Sequence, residues 1–464
     1  VLKLTGASQE TSFMRCLSVC LAALLLLSSL LLVACGGSSP GTVNLSLSDP
    51  PTCMAPQGPY MHVYVTVQDV QIHQSSTASN NDAGWIDLAP QLKNNPVQVD
   101  LLGTSNQCFL AMLGSAAIQP GSYQQLRVIL ANNGSQVNNN KCGVAANCVV
   151  LAADPLNPQT LQLSSEAQTG IKIPSGQIAG GQFTIGSGET KDLNIDFNAC
   201  ASIVVQGSGQ FRLKPVLHAG EVALQSSSTA ISGMIVDNGG LPIVGGNTVV
   251  ALEQNIGGID RVIMETVPNS AGGFSFCPVP PGSYEIVATA ISGAGVSYAA
   301  TVITGVQPGN NLGKVPLTPV GLPASINGQL TSSNGSAGVA VDVTVSALQS
   351  ISASTQVTVP LAQQSASTAT LSTSNGTCPA GMDCASYTFS LPAANPSIGA
   401  VNLSGDQTPA APGAGAVTYT VDGLAFVLGT NTANCTQPEQ QAVVNNVTAG
   451  NPFSAGALAF NGCN

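Results

Sequence analysis

The sequence predicts an all-β chain, a series of tandem β-sandwich domains behind an N-terminal signal peptide. Three observations predict it. Nearly every ordered-looking segment alternates with period two, as in "TVNLSLS" (Thr42–Ser48), "MHVYVTV" (Met61–Val67), "YQQLRVIL" (Tyr123–Leu130) and "GQFRLKPVL" (Gly209–Leu217). These runs are bounded by Gly, Pro, Asn or Ser, the residues of turns. No soluble stretch of four turns carries a 3.6-residue period; "SNQCFLAMLGSAA" (Ser105–Ala117) is the best helical candidate, and it is short.

The totals bound the rest. A chain of 464 residues has room for about three domains. Only 7% of residues are charged, against roughly 25% in an average soluble protein, so Ser, Thr, Asn and Gln must supply solubility. Beyond Cys35 there are nine Lys and Arg against 21 Asp and Glu, and the 150 residues after Lys314 hold no Lys, Arg or His. Such a surface repels phosphate backbones, which argues against nucleic acid as a partner.

Residues 1–34 read as a signal peptide, with Met14 as the expected start of translation. Met14-Arg15 opens a short basic flank, and Leu17 to Ala34 is the apolar core. Its end, Leu32-Val33-Ala34-Cys35, resembles the lipobox of bacterial lipoproteins. That resemblance implies that the Cys35 thiol is linked to diacylglycerol, that the chain is cut before Cys35, and that the new amine is acylated. Several acyl chains anchor far more firmly than one. Residues 35–40 would then be a flexible lipidated tether, and Gly36 after the cysteine implies an outer-membrane destination in a Gram-negative envelope.

Export predicts oxidising surroundings in which cysteine pairs persist. "KCGVAANC" (Cys142, Cys148) and "TCPAGMDC" (Cys378, Cys384) have the spacing of hairpin-end disulfides, each contributing about 2–2.5 kcal/mol by loop entropy. Cys435 with Cys463 would close a longer loop, and Cys53 with Cys108 would join two loops of the first domain. Cys200 and Cys277 remain, each in an apolar context that suits a buried thiol. Neither short pair has the further ligands a zinc site needs.

Residues 41–224 form the first unit. Its motifs run "LSLSDPP", "VYVTVQDVQIH", "GWIDL", "VQVDLL", "IQPGSYQQLRVIL", "IKIPSG" and "LNIDFNACASIVVQGSGQFRLKPVLHA". This order resembles the bacterial lipoprotein module called domain of unknown function 4382 (DUF4382), which implies a β-sandwich-like domain and no established activity. An Asn-rich insert, Asn132–Asn147, departs from that pattern. Residues 229–319 pair "ISGMIVDNGGLPIVGGNTVVALE" with "GGFSFCPVPPGSYEIVATA". The pairing is similar to carboxypeptidase regulatory-like domains, small transthyretin-like sandwiches without peptidase chemistry. Asp237-Asn238-Gly239-Gly240 would supply a hairpin turn, Phe274 and Phe276 would share a face, and Pro280-Pro281-Gly282 would swing Tyr284 onto the core. Residues 324–464 begin as an echo: "INGQLTSSNGSAGVAVDVTVSAL" aligns with the start of the second unit, and "YTFSLPA" with "FSFCPVP". They are expected to form a diverged, enlarged, acidic sandwich bearing disulfides.

Chemistry-bearing patterns are sparse. Gly-x-Ser-x-Gly and phosphate-loop motifs do not occur; "NGSAG" (Asn334–Gly338) is a turn. His62, His73 and His218 show no metal-ligand spacing with Asp69 or Asp196. A bulge at Gln68-Asp69 would keep Val63, Val65 and Val67 inward together with Val70 and Ile72, leaving His73 toward solvent. Asp192 and Asp196 read as edge or turn charges, and Trp85 as a core filler. No catalytic residue, cofactor or metal is assigned. The expected role is a non-catalytic envelope lipoprotein, a surface or periplasmic binding, adhesion or structural module, membrane-held and with an extracellular protein or glycan as partner. A carbohydrate-binding accessory protein and a cryptic hydrolase are the alternatives. Exposed aromatics on one sheet face would favour the first, a cleft gathering a histidine with two carboxylates the second.

Overall fold

The computed structural model describes residues 39–48, 60–76, 78, 81–102, 111–163, 170–205, 209–213, 217–222, 230–243, 246–333, 340–361, 368–371, 378–428 and 435–463. The signal peptide, Cys35, and the proposed Cys53–Cys108 pair lie outside the described residues. Strands hold 56% of residues and helix 3%, and among the described residues no helix reaches seven residues. The chain is all-β.

The first unit packs two sheets face to face. Four strands run in the order Leu217–Val222, Thr190–Phe197, Gly41–Ser48, Ala111–Ile118. The larger sheet is built on Tyr60–His73, flanked by Gln125–Leu130 and Cys148–Leu151. Val43, Leu45 and Leu47 of one sheet meet Val63, Val65, Val67, Val70 and Ile72 of the other, all fully buried. That inward set is continuous because the register shifts between Val67 and Asp69, the one-residue bulge that returns Val70 to the core side.

Strand pairing corrects two expectations in this unit. Ala111–Ile118, overlapping the helical candidate, is a strand paired antiparallel with Gly41–Ser48; tertiary pairing overrides the helix propensity of its alanines. Asp196 is neither an edge nor a turn charge, because Thr190–Phe197 is a central strand with neighbours on both sides and Asp196 is buried.

In the second unit, Gly273–Phe276, Ile231–Val236 and Asn311–Pro316 form a three-stranded sheet that packs on Asn247–Ile256, Ile259–Thr266, Tyr284–Ile291 and Ser297–Val306. The Asp237 turn is made as its sequence suggests: Asp237 Oδ1 accepts from the amides of Gly239 (2.8 Å) and Leu241 (2.9 Å). It does not close a hairpin, since Ile231–Val236 and Asn247–Ile256 belong to different sheets. Phe274 and Phe276 are both buried. The Tyr284 hydroxyl donates to the Pro280 carbonyl at 2.7 Å, and in the first unit Tyr123 donates to Gln119 at 2.7 Å. Both corners are the same short motif, "QPGSY" (Gln119–Tyr123) and "PPGSY" (Pro280–Tyr284).

The third unit repeats the main strand pairings of the second. Ile231 and Gly233 face Phe276 and Phe274; Ile326 and Gly328 face Phe389 and Tyr387. Each first strand also takes a late strand in parallel on its other edge, and each next long strand pairs antiparallel with the one opened by Tyr284 or Tyr419. The Tyr419 hydroxyl reaches the Pro392 carbonyl at 2.7 Å, as Tyr284 reaches Pro280.

The two units share one eleven-stranded sheet. Gln356–Thr358 adds in parallel to Ile259–Thr266 on one edge of the second unit's sheet, and Ser397–Ala400 adds in parallel to Ser297–Val306 on the other. Between those edges, Val287, Ala300 and Val302 of the second unit are buried in the third unit's core. The first unit touches the second where Asn198 Nδ2 donates to the Glu265 carbonyl (3.1 Å) and Gln254 accepts from the Gly180 amide.

Disulfides join Cys142 to Cys148, Cys378 to Cys384 and Cys435 to Cys463, with S–S distances of 1.98, 2.00 and 1.92 Å. Cys277 is disulfide-bonded as well, which corrects its reading as a buried thiol. An apolar strand context does not distinguish the two states, because both bury sulfur.

Candidate binding surface

The bulge that keeps the valines inward also sets what faces outward. Beyond it, Asp69, Gln71 and His73 lie on the side away from the core. Gln71 stands between Asp87 and Arg127 in the ladder, and Arg127 stands beside Lys172. Four adjacent strands thus carry the row Asp87, Gln71, Arg127, Lys172 on one face.

The row is knitted by hydrogen bonds. Gln71 Nε2 donates to Asp87 Oδ1 (2.6 Å) and Asp69 Oδ2 (2.8 Å), while Gln71 Oε1 accepts from Arg127 Nε (2.5 Å). Lys93 closes it, with Nζ 2.7 Å from Asp87 Oδ2 and 3.4 Å from Asp69 Oδ2. Asp69 and Arg127 are buried, and charges removed from water this far persist only when paired. Burial raises the Asp69 carboxyl, with Asp87 adding to the rise and Lys93 opposing it. At Asp87 burial also pushes upward, but the bonds from Lys93 and Gln71 outweigh it and the carboxyl is lowered.

A covering segment lies over one end of the row. Lys172 Nζ donates to the Ala78 carbonyl at 3.0 Å, and burial together with the nearby Arg127 brings Lys172 down to about 8. The Arg127 guanidinium lies 4.1 Å from the centre of the Trp85 ring, a cation–π distance. His73 sits 5.2 Å from the same ring, tilted against it, and its Nδ1 accepts from the Ser75 amide (2.9 Å). Trp85 is half-buried on this outer face. It is therefore a lid on the charged row, not a core filler, because the apolar core is already filled from the two sheets. His73 does face outward, but against Trp85.

The remaining histidines are apart. His62 Nδ1 lies 2.6 Å from Asp100 Oδ2 near the surface. His218 is opposite Asp196, which is opposite Ser48. All three are buried. This row has the residue types of a nucleophile, acid and base in an order that does not serve: the carboxyl, not the imidazole, stands next to the hydroxyl. Burial raises Asp196 well above the usual range, with Ser48 opposing, and lowers His218 to about 3. Among the described residues no group of three His, Cys, Asp or Glu is placed to hold a metal ion.

Sequence reasoning missed Arg127, Gln71, Lys93 and Lys172. The available signal was polar residues at buried strand positions, as in "VQDVQIH" (Val67–His73) and the arginine within "QLRVIL" (Gln125–Leu130).

Residues 40–215 match the family described as domain of unknown function DUF4382. This stretch is a DUF4382 domain. It contains the whole charged row and its Trp85 lid. No curated protein matches the chain. Among solved structures, the Bacillus anthracis TIE protein is similar at 10% identity over 91% of this chain and 51% of that one, with a TM-score of 0.16. This chain therefore spans about half the length of that protein. The minor pilin of Streptococcus agalactiae is 10% identical over 50% of this chain and 95% of its own, with a TM-score of 0.15. The shaft pilin SpaA of Lactobacillus rhamnosus GG is 7% identical over 61% of this chain and 99% of its own, with a TM-score of 0.16.

Proposed function

We propose that this chain is a lipid-anchored bacterial envelope protein with a non-catalytic role, holding a DUF4382 domain away from the membrane as a binding, adhesion or structural module. On this reading Cys35 carries the lipid, residues 35–40 are the tether, the outer membrane is the destination, and residues 229–319 are a carboxypeptidase regulatory-like sandwich. The observation that carries it is the shared sheet. With both edges of the second unit's sheet taken by strands of the third and its face buried, those two units form a rigid body suited to bearing load or presenting a surface. The test is twofold. A Cys35→Ser chain should lose incorporation of labelled lipid, and unchanged labelling would refute the anchor. The soluble fragment 41–464 should bind an immobilised envelope or matrix protein; binding to none would remove the adhesion reading and leave a structural one.

A glycan-binding reading is favoured by one observation, the half-buried Trp85 on an outer face with His73 beside it. An indole there offers a stacking surface for a sugar ring. Retention of glycan binding by Trp85→Ala would exclude this site.

A further inference from the structure

The seam between the second and third units is lined with acid. Glu253 and Glu285 stand opposite each other in adjacent strands, which places their side chains on the same face, within about 5.5 Å at Cβ. Glu253 is fully buried; Asp260 and Glu265, on the next strand, are buried too. From the third unit, the Thr358 amide donates to Glu253 Oε2 (3.0 Å), and the Thr358 hydroxyl donates to the Asp260 carbonyl (2.8 Å). Among the described residues Glu253 Oε1 and Asp260 Oδ2 have no hydrogen-bond partner. Asp260 Oδ1 accepts from Asn255 Nδ2 (2.6 Å).

Among the described residues the third unit offers no base to Glu253, Glu285 or Asp260. The facing strand contributes Gln356, Val357 and Thr358, none of which titrates. Arg261, the nearest cation along the strand, is committed to Asp422 (2.5 Å) and Glu439 (2.7 Å). The third unit itself has no Lys, Arg or His after Lys314. Among the described residues no three of these carboxyls are placed to hold a metal ion, and a carboxyl buried without a countercharge is neutralised by a proton.

We infer that this seam is a proton-operated clamp: it holds the second and third units together while Glu253, Glu285 and Asp260 are protonated, and loosens as they ionise. The direction of each shift agrees. Burial, then Asp260, lifts Glu285 to about 7, and burial lifts Glu253 and Asp260 above their ordinary values. Carboxyls raised in the folded state stabilise it fully below their unfolded values, 4.5 for the glutamates and 3.8 for Asp260. That contribution is lost as pH climbs through the folded value. The window is therefore pH 4.5 to about 7 for Glu285 and extends upward for Glu253.

Hydrogen exchange at the Thr358 amide reads the clamp directly. In the full chain, protection corrected for intrinsic rate should fall at least about tenfold between about pH 5 and about pH 8. Glu253→Gln with Glu285→Gln should hold it level, since an amide keeps the acceptor for Thr358 without a charge. Should that pair fail to fold, Glu285→Gln alone, on the half-exposed member, should at least reduce the pH dependence. Protection that is equal at both pH values in the parent chain overturns the proposal. So does protection restored at high pH by added calcium, which would make the seam a cation site.

Discussion

Gly233 lies directly opposite Phe274, and a β-carbon built on it would come within 2.8 Å of the phenyl ring. Gly328 stands in the same relation to Tyr387, whose ring fills the space a side chain would need. An aromatic ring laid across a cross-strand glycine restores the buried area the glycine lacks. That both units use the device at the same register position, two residues after a buried isoleucine, makes the third a repeat of the second in packing as well as in pattern.

Gly233→Ala and Gly328→Ala should therefore each destabilise by about 1–3 kcal/mol through overpacking. The measurement is a urea unfolding curve. Gly233→Ala placed on a Phe274→Leu background should be milder than the sum of the single changes, because the clash and the ring are one interaction. Strict additivity would mean the ring does not occupy that space.

Arg127 makes two demands at once, its Nε bonded to Gln71 and its plane against Trp85. Lysine keeps the charge but cannot do both. Arg127→Lys should thus lower stability, and Trp85→Ala should lower it by about 1–2 kcal/mol as the stacked cation loses its ring. Trp85→Phe should recover most of that loss. Equal melting of Trp85→Ala and the parent chain would show that the lid contributes nothing.

How much of this was legible follows from what sequence patterns encode. Alternation marks which side of a strand is apolar, so the valines of Tyr60–His73 and the bulge that realigns them could be read in advance. It does not say whether the opposite side is wet. Nothing in that alternation marks Asp69, Gln71 and Arg127 as buried, yet all three are. Asp196 misled for a similar reason: an acid in an alternating strand suggests an edge until the neighbours of that strand are known. The fusion of the second and third units was illegible because the segment around Ser397–Ala400, inserted between Pro392 and Tyr419, has no counterpart in the second unit. Long-range edge pairing leaves no local trace in a short, Pro-rich stretch.

His218 offers a separate handle on the first unit. Its pKa is lowered to about 3 by burial, from an ordinary 6.5. A base held neutral in the folded state gives stability that is present above 6.5 and lost as pH falls toward 3. The first unit should weaken over that range, and His218→Gln should flatten the profile below pH 6.5. Asp196, raised by burial, acts in the opposite sense as pH rises, so Asp196→Asn should leave the acid limb in place. Circular dichroism melts across pH would separate the two; an unchanged acid limb in His218→Gln would assign the weakening to other groups.

The inserted segment also carries a single residue on which its grip depends. Gln407 is buried, donates through Nε2 to the Leu312 carbonyl (2.7 Å) and to Asn402 (2.9 Å), and accepts through Oε1 from the Asn402 amide (2.8 Å). Its own amide donates to the Lys314 carbonyl (2.8 Å), and Asp406 accepts from the Lys314 amide (2.9 Å). One side chain thus organises the loop and binds it to the last strand of the second unit. Gln407→Ala would leave the Leu312 carbonyl buried without its donor, a loss of about 1–3 kcal/mol. Because the Gln356–Thr358 contact lies on the far edge of the sheet, this loss should be local. Hydrogen exchange should quicken at Val401 and Lys314 while Thr358 stays protected. Equal loosening at Thr358 would show instead that the two edges open together, and that the second and third units separate in one step.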